Sequence, residues 1–318
     1  MTHVLVTGGA GFIGSHTVDL LLSQGHRVTV LDDLSTGLMA NLKQCEGNPN
    51  FHFVKADVAE DIAETLDQVA AIVGPIDRII HYAAQTAVPL SMDDPASDVR
   101  ANVIGSVKLL EYARRNKVAK VAFASSSAVY DDDAPVPVNE KSSVRPSSPY
   151  GIDKLVVEFY LDYYARLFGL KYTALRFMNV YGPRQDSKSW YSGVISIFLD
   201  RAASNTPITI FDDGEQTRDF VYVTDVAAAV TKACLDDAAH GEIINIGTGE
   251  EVSINTLAKL AIDLAGSTSV ISYAPARPGD IRRSVTTMDK ARALLAFAPK
   301  VSFADGLAHT LNWVRTQL

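Results

Sequence analysis

Over its first 180 residues the chain alternates short, almost wholly apolar runs with longer stretches of helical period. The runs at 3–7, 27–31, 51–56, 77–81, 118–124 and 171–177 carry few polar positions, the pattern of strands covered by helices on both faces. Residues 12–24, 59–73, 96–116 and 149–168 place apolar side chains at helical spacing. Strand–helix alternation predicts an α/β fold, a doubly wound parallel sheet of Rossmann type with right-handed crossovers. After about residue 180 the pattern changes: Gly182-Pro183 interrupts it, then helices, short strands and polar loops such as Asp212-Asp213-Gly214 follow. The expected organisation is a dinucleotide-binding domain over 1–180, with a return of the chain near 215–250. There a strand-like run at 242–246 precedes Gly247-Thr248-Gly249. The rest of 181–318 is expected to form a smaller, mixed α/β substrate-binding lobe.

Composition narrows the function classes. The formal charge is −8, from 29 Lys plus Arg against 37 Asp plus Glu, which argues against non-specific nucleic-acid binding. A few arginines in a cleft can still hold a small anionic ligand. Two cysteines, Cys45 and Cys234, give no disulfide framework and fit a reducing compartment. No apolar run reaches bilayer-spanning length and no leader precedes the first strand, so a cytoplasmic protein is expected. The seven histidines show no metal-ligand spacing.

The chemistry starts in the first strand–helix turn. Val4-Leu5-Val6-Thr7 runs into Gly8-Gly9-Ala10-Gly11-Phe12-Ile13-Gly14. Gly8 suits the tight turn, Gly11 lets backbone approach a pyrophosphate, and Gly14 allows close helix–strand packing. The N–H groups of the helix opening at Phe12 then face the phosphates. The second strand ends in Asp32, 18 residues beyond Gly14. A carboxylate there accepts hydrogen bonds from the adenosine ribose and repels a 2′-phosphate, favouring NAD over NADP. Asp33 is the neighbouring alternative. Asp57-Val58, after the third strand, could flank the adenine, or serve only as loop.

Tyr150 and Lys154 are four apart and share one face of a helix. An ammonium beside a phenol lowers the phenol's pKa and makes it a base for an alcohol proton. Ser125-Ser126-Ser127 follows the fifth strand, where open α/β sheets bind their ligands, so a serine hydroxyl can meet Tyr150.

With these motifs in place the chain resembles the extended short-chain dehydrogenases/reductases, and within them the NAD-dependent UDP-sugar 4-epimerases. The resemblance implies that His81-Tyr82-Ala83-Ala84-Gln85 lies beside the nicotinamide and that Asn102 supports the site. It also implies that Asn179, in Arg176-Phe177-Met178-Asn179-Val180-Tyr181-Gly182-Pro183, contacts the sugar nucleotide. Arg218, within Gly214-Glu215-Gln216-Thr217-Arg218-Asp219, and Arg277, within Arg277-Pro278-Gly279-Asp280, would take the diphosphate, with Asp280 beside them. Tyr150 would remove the proton of the 4-hydroxyl as hydride moves to NAD, Ser126 would share that oxygen, and Lys154 would hold the nicotinamide ribose. A transient 4-keto sugar then turns over before hydride returns. Ser127 is the neighbouring choice for Ser126.

Two features refine the resemblance. Asp131-Asp132-Asp133 stands where the family has a glycine after Val-Tyr. The related 4,6-dehydratases and decarboxylases need a carboxylate near Ser126–Ala128, and only hydroxyls and a methyl occur there. A non-catalytic NAD and sugar-nucleotide sensor is the reading from another class; such proteins lose the Tyr or Lys retained here. By resemblance Ser284 lines the pocket near the sugar's C2 substituent. Its small side chain predicts that UDP-GlcNAc and UDP-GalNAc enter, with UDP-Glc and UDP-Gal competing. Residues 155–164 are apolar on more than one helical face, and related epimerases pair such helices, so a homodimer is expected.

Overall fold

The computed structural model describes residues 1–186, 193–276 and 281–318. Its centre is a seven-stranded, wholly parallel sheet. Six strands come from the first 177 residues: β1 (His3–Thr7), β2 (Arg27–Asp32), β3 (Phe51–Lys55), β4 (Arg78–His81), β5 (Lys120–Ser126) and β6 (Lys171–Phe177). The seventh, Glu242–Ile246, joins the β6 edge, and the order across the sheet is β3-β2-β1-β4-β5-β6 and then Glu242–Ile246. The order therefore reverses between β1 and β4, which opens a crevice at their carboxyl ends.

Strand side chains alternate between two apolar layers. Val4, Val6, Val28 and Val30 pack with Val18 and Leu21 of helix α1 (Phe12–Ser23), and with Val226 and Val230 of the Val223–Leu235 helix. Leu5, Leu31 and Ile79 face the other way, onto Leu66, Leu109, Val157 and Leu161. A separate apolar cluster joins Ile195, Phe198, Ile208, Phe220, Leu257 and Leu307 beyond the sheet.

Three element boundaries differ from the sequence pattern. The helix expected from 59 begins at Ala63, because the Asp57 and Asp61 carboxylates accept from the N–H groups of Ala59 and Ala63 and fold 57–62 into turns. Strand β5 runs through Ser125 and Ser126, which stay in register with Arg176 and Phe177. The 96–116 helix is Pro95–Val99 and Gly105–Arg115 joined by wider π turns over Arg100–Ile104. Among the described residues no helix is long and apolar enough to cross a membrane.

Candidate active site

The crevice between β1 and β4 is built by glycine. At Gly8, where φ is +69°, a β-carbon would stand 2.7 Å from the Ala83 backbone nitrogen. One at Gly14 would stand 2.2 Å from the Gly8 carbonyl oxygen. Both positions are closed to any side chain. Gly11 differs: its β-carbon would meet only the Gly8 oxygen, at 3.2 Å, and otherwise face open space. Gly11 also caps α1 without a side chain, so the N–H groups of Phe12, Ile13 and Gly14 have no intrahelical acceptor. Outward donors over an open floor fit a dinucleotide pyrophosphate.

Asp32 stands beside this loop, buried at the end of β2. Its Oδ2 accepts from the Ala10 N–H and its Oδ1 from the Leu34 N–H, each at 2.9 Å. Each oxygen keeps a lone pair for a ribose hydroxyl. Burial raises the carboxyl above its usual range, and the two backbone bonds oppose that. Asp33 points to solvent and accepts from the Ser35 N–H at 2.8 Å. Asp57 holds Ala59 and forms an ion pair with Arg100 at 2.9 Å. Val58 is buried, and a β-carbon at Gly105 would lie 2.7 Å from its Cγ1.

On the β4 side, Ala83, Ala84 and Gln85 form a partly exposed rim. Asn102 is buried behind it. Its Oδ1 accepts from the Gln85 N–H at 2.8 Å, and its amide nitrogen donates to the Gln85 carbonyl at 3.1 Å. Asn102 thus shapes the loop; its amide faces protein backbone rather than the crevice. His81 lies between the Thr7 and Ser106 hydroxyls, at 2.7 and 2.8 Å. Burial pushes its imidazole down to about 3, with Lys154 adding to the shift, so the ring is neutral.

The helix carrying Tyr150 and Lys154 spans Pro149–Phe168 and is capped by Ser148, whose hydroxyl accepts from the Gly151 N–H at 3.2 Å. A β-carbon at Gly151 would stand 2.3 Å from the Ala128 carbonyl oxygen. This close approach brings the helix start against the serine loop, where Ser126 acts on the Tyr150 phenol and pulls its pKa down. The Ser126 hydroxyl also accepts from the Ala128 N–H at 3.1 Å. Ser127 begins the 3-10 turn that follows. Ser125 faces away, donating to Glu158 at 2.6 Å. Glu158 is buried with Arg176, which donates to both its oxygens at 2.9 and 2.6 Å and lies over the Tyr130 ring.

Lys154 is buried, and its ammonium donates to the Ala124 carbonyl at 2.9 Å, 5.7 Å from the centre of the Tyr150 ring. Burial lowers its pKa to about 8, against the pull of Asp98 and Asp153. The sequence led us to expect Lys154 to depress the Tyr150 phenol. Here burial dominates and raises that phenol, Ser126 pulls it down, and Asp98 pushes it up. The lysine donates to the Ala124 carbonyl and is not among the groups that move the phenol. Burial and the adjacent Asp98 carboxyl push Asp153 up to about 7, with Lys154 opposing.

The other described sequence-predicted residues lie on short strands beyond β6. Asn179 pairs with Phe220, and its side chain donates to the Asp219 carbonyl at 3.3 Å. Arg218 and Ser284 are register partners in adjacent parallel strands and so present side chains on one side. Arg218 donates to the carbonyls of Thr217 and Ile281. Buried Asp219 ties these segments together, accepting from Thr248, Gly249 and Thr286. Arg277 and Asp280 lie outside the described residues. Asp98, Asp153, Glu158 and Asp219 escaped the sequence reading: acidic residues are ordinarily surface, and no spacing betrayed their burial.

The model of the NAD dependent epimerase/dehydratase family matches residues 4–247. The chain belongs to this family. Its cofactor is NAD, and the family's Rossmann core is the sheet described above. This family member is 41% identical to a putative UDP-glucose 4-epimerase of Methanocaldococcus jannaschii, over 98% of both chains. A solved UDP-glucose 4-epimerase of Thermotoga maritima, with UDP-glucose, superposes with a TM-score of 0.92 at 40% identity, covering 99% of each chain. A UDP-N-acetylglucosamine 4-epimerase of Methanobrevibacter ruminantium, in complex with UDP-N-acetylmuramic acid, also reaches 0.92, at 36% identity over 100% of this chain and 99% of that one.

Proposed function

We propose that this protein interconverts UDP-sugars at C4, accepting UDP-GlcNAc and UDP-GalNAc, with UDP-Glc and UDP-Gal as competing substrates. The observation that carries the reading is the start of the Pro149–Phe168 helix packed against the Ser126–Ala128 loop, with Tyr150 and Lys154 one helical turn apart on it. The 4-epimerase relatives support it. Gly8, Gly11 and the α1 N-terminus would hold the NAD pyrophosphate, Asp32 the adenosine ribose, and Lys154 the nicotinamide ribose. When bound, NAD supplies a reversible hydride acceptor and a positive charge close to the phenol. Tyr150 takes the proton from the 4-hydroxyl and returns it to the oxygen after the sugar has turned. Ser126 hydrogen-bonds that oxygen throughout. Asn179 and Arg218 would face the nucleotide and diphosphate.

Dehydratase chemistry lacks its acid, since Ser126, Ser127 and Ala128 offer no carboxyl group. The small Ser284, beside Arg218, leaves room for an N-acetyl group at C2. Tyr150→Phe is expected to lower kcat by about 10²- to 10⁴-fold, the usual range for a lost acid–base group. Ser284→Tyr is expected to abolish turnover of the N-acetyl sugars while sparing UDP-Glc, read by comparing kcat/KM on the two classes. Equal loss on both would contradict the pocket assignment. We also propose that a second copy of the chain covers the exposed apolar face of the Pro149–Phe168 helix.

A further inference from the structure

We propose that Asp98 and Asp153 hold one proton between them and act together as positioning residues for Lys154, a buried acid–carboxylate pair behind the Tyr150/Lys154 site. This rests on the reading of that site given above. The two residues are 1% and 3% exposed. Asp98 Oδ1 accepts from the Gln85 side-chain nitrogen at 2.7 Å. Asp98 Oδ2 and Asp153 Oδ2 are buried with no donor, and the two helices that carry them, Pro95–Val99 and Pro149–Phe168, pack against each other. Two ionised carboxylates meeting in this way repel, and each leaves a buried acceptor unsatisfied. One proton resolves both defects, since a protonated oxygen becomes the donor its partner lacks.

The surrounding groups fix the charge of the arrangement. The Pro149–Phe168 helix supplies Tyr150 and Lys154, and the segment after β4 supplies neutral His81 and the Gln85 amide. The Val88–Asp93 helix brings Ser91, whose hydroxyl donates to its own backbone at Val88. Lys154 is a cation whose charged form both carboxyls favour, and a pair of charge −1 balances it. That charge opposes the burial that lowers the ammonium's pKa. The shared proton also joins the Pro95–Val99 helix to the first turn of the catalytic helix. Loss of the proton places a second negative charge near Tyr150 and opposes its ionisation.

The sign of the pH effect follows. The folded state binds the proton more tightly than the unfolded chain, where an aspartate has its ordinary pKa of 3.8. Folding stability from this pair is present at low pH and declines as pH rises through about 7. In Asp153→Asn, the amide donates to Asp98 without a titrating proton and the charge stays at −1. The first readout is denaturant-derived stability across that range, which needs no turnover. Wild type is expected to lose stability with rising pH and Asp153→Asn to flatten that slope; Asp98→Asn, which keeps an acceptor for Gln85, should do the same. The second is the kcat–pH profile on the UDP-sugar. Asp153→Asn should shift its acid limb down by about half a pH unit. The double variant, with no counter-charge for Lys154, should lose about tenfold in kcat or more, with its alkaline limb moved to lower pH. Stability slopes and pH profiles that superimpose on wild type would overturn the pair. If wild type itself converts no UDP-sugar, the function reading fails, and the stability slopes still decide the pair.

Discussion

Tyr150 and Lys154 lie one helical turn apart yet answer to different neighbours: the phenol to Ser126, the ammonium to the Ala124 carbonyl. Their relation was legible in the sequence because an i, i+4 spacing fixes a shared helical face. Asp32 over Asp33 was legible only in part; the end of β2 turns one carboxylate under Gly37 and leaves the other in solvent. The proposed pairing of Asp98 with Asp153 was not legible, because it depends on how two helices far apart in sequence pack. At this scale pH is the probe. In the proposed role the lysine must carry its charge to hold the ribose, and burial lowers its pKa to about 8. Activity is therefore expected to fall as pH rises through about 8, read from kcat between neutral and alkaline buffer. A flat profile well above that point would remove Lys154 from the reaction.

At the scale of elements, the catalytic helix is fastened to the sheet by one buried cluster. Glu158 accepts from Ser125 of β5 and Arg176 of β6, so the third turn of this helix is tied to two strands at once. Removing one member of a buried ion pair leaves the other uncompensated. Glu158→Ala is expected to cost about 3–5 kcal/mol of folding stability, measured in denaturant. A loss under about 1 kcal/mol, as for a surface pair, would contradict this. The elements themselves were readable wherever burial on both sides made the strands uniformly apolar. Boundaries were not readable where polar side chains decide them. Asp57 and Asp61 delay a helix, and serines extend β5 because β6 offers them a register.

The whole molecule presents an apolar face that its own packing does not cover. Phe159 and Leu167 are 65% and 59% exposed on the catalytic helix, and Tyr160, Tyr163 and Phe168 lie with them. Contiguous apolar surface of this kind ordinarily marks an interface, and a second copy of the chain fits a face that follows a single long helix. Phe159→Glu is expected to convert a dimer to a monomer in sedimentation at micromolar concentration. A monomeric wild type would end that proposal. The family was legible because the glycine cradle and the Tyr/Lys pair lie at the carboxyl ends of strands that the topology brings together. The substrate was less legible, since the wall bearing Ser284 is assembled from distant short strands. The most direct test incubates purified protein and catalytic NAD with UDP-GlcNAc and UDP-Glc separately, and resolves the products by proton NMR. Appearance of the 4-epimer, with no net accumulation of reduced cofactor, is the expected result. Retention of both sugars unchanged would contradict the epimerase account.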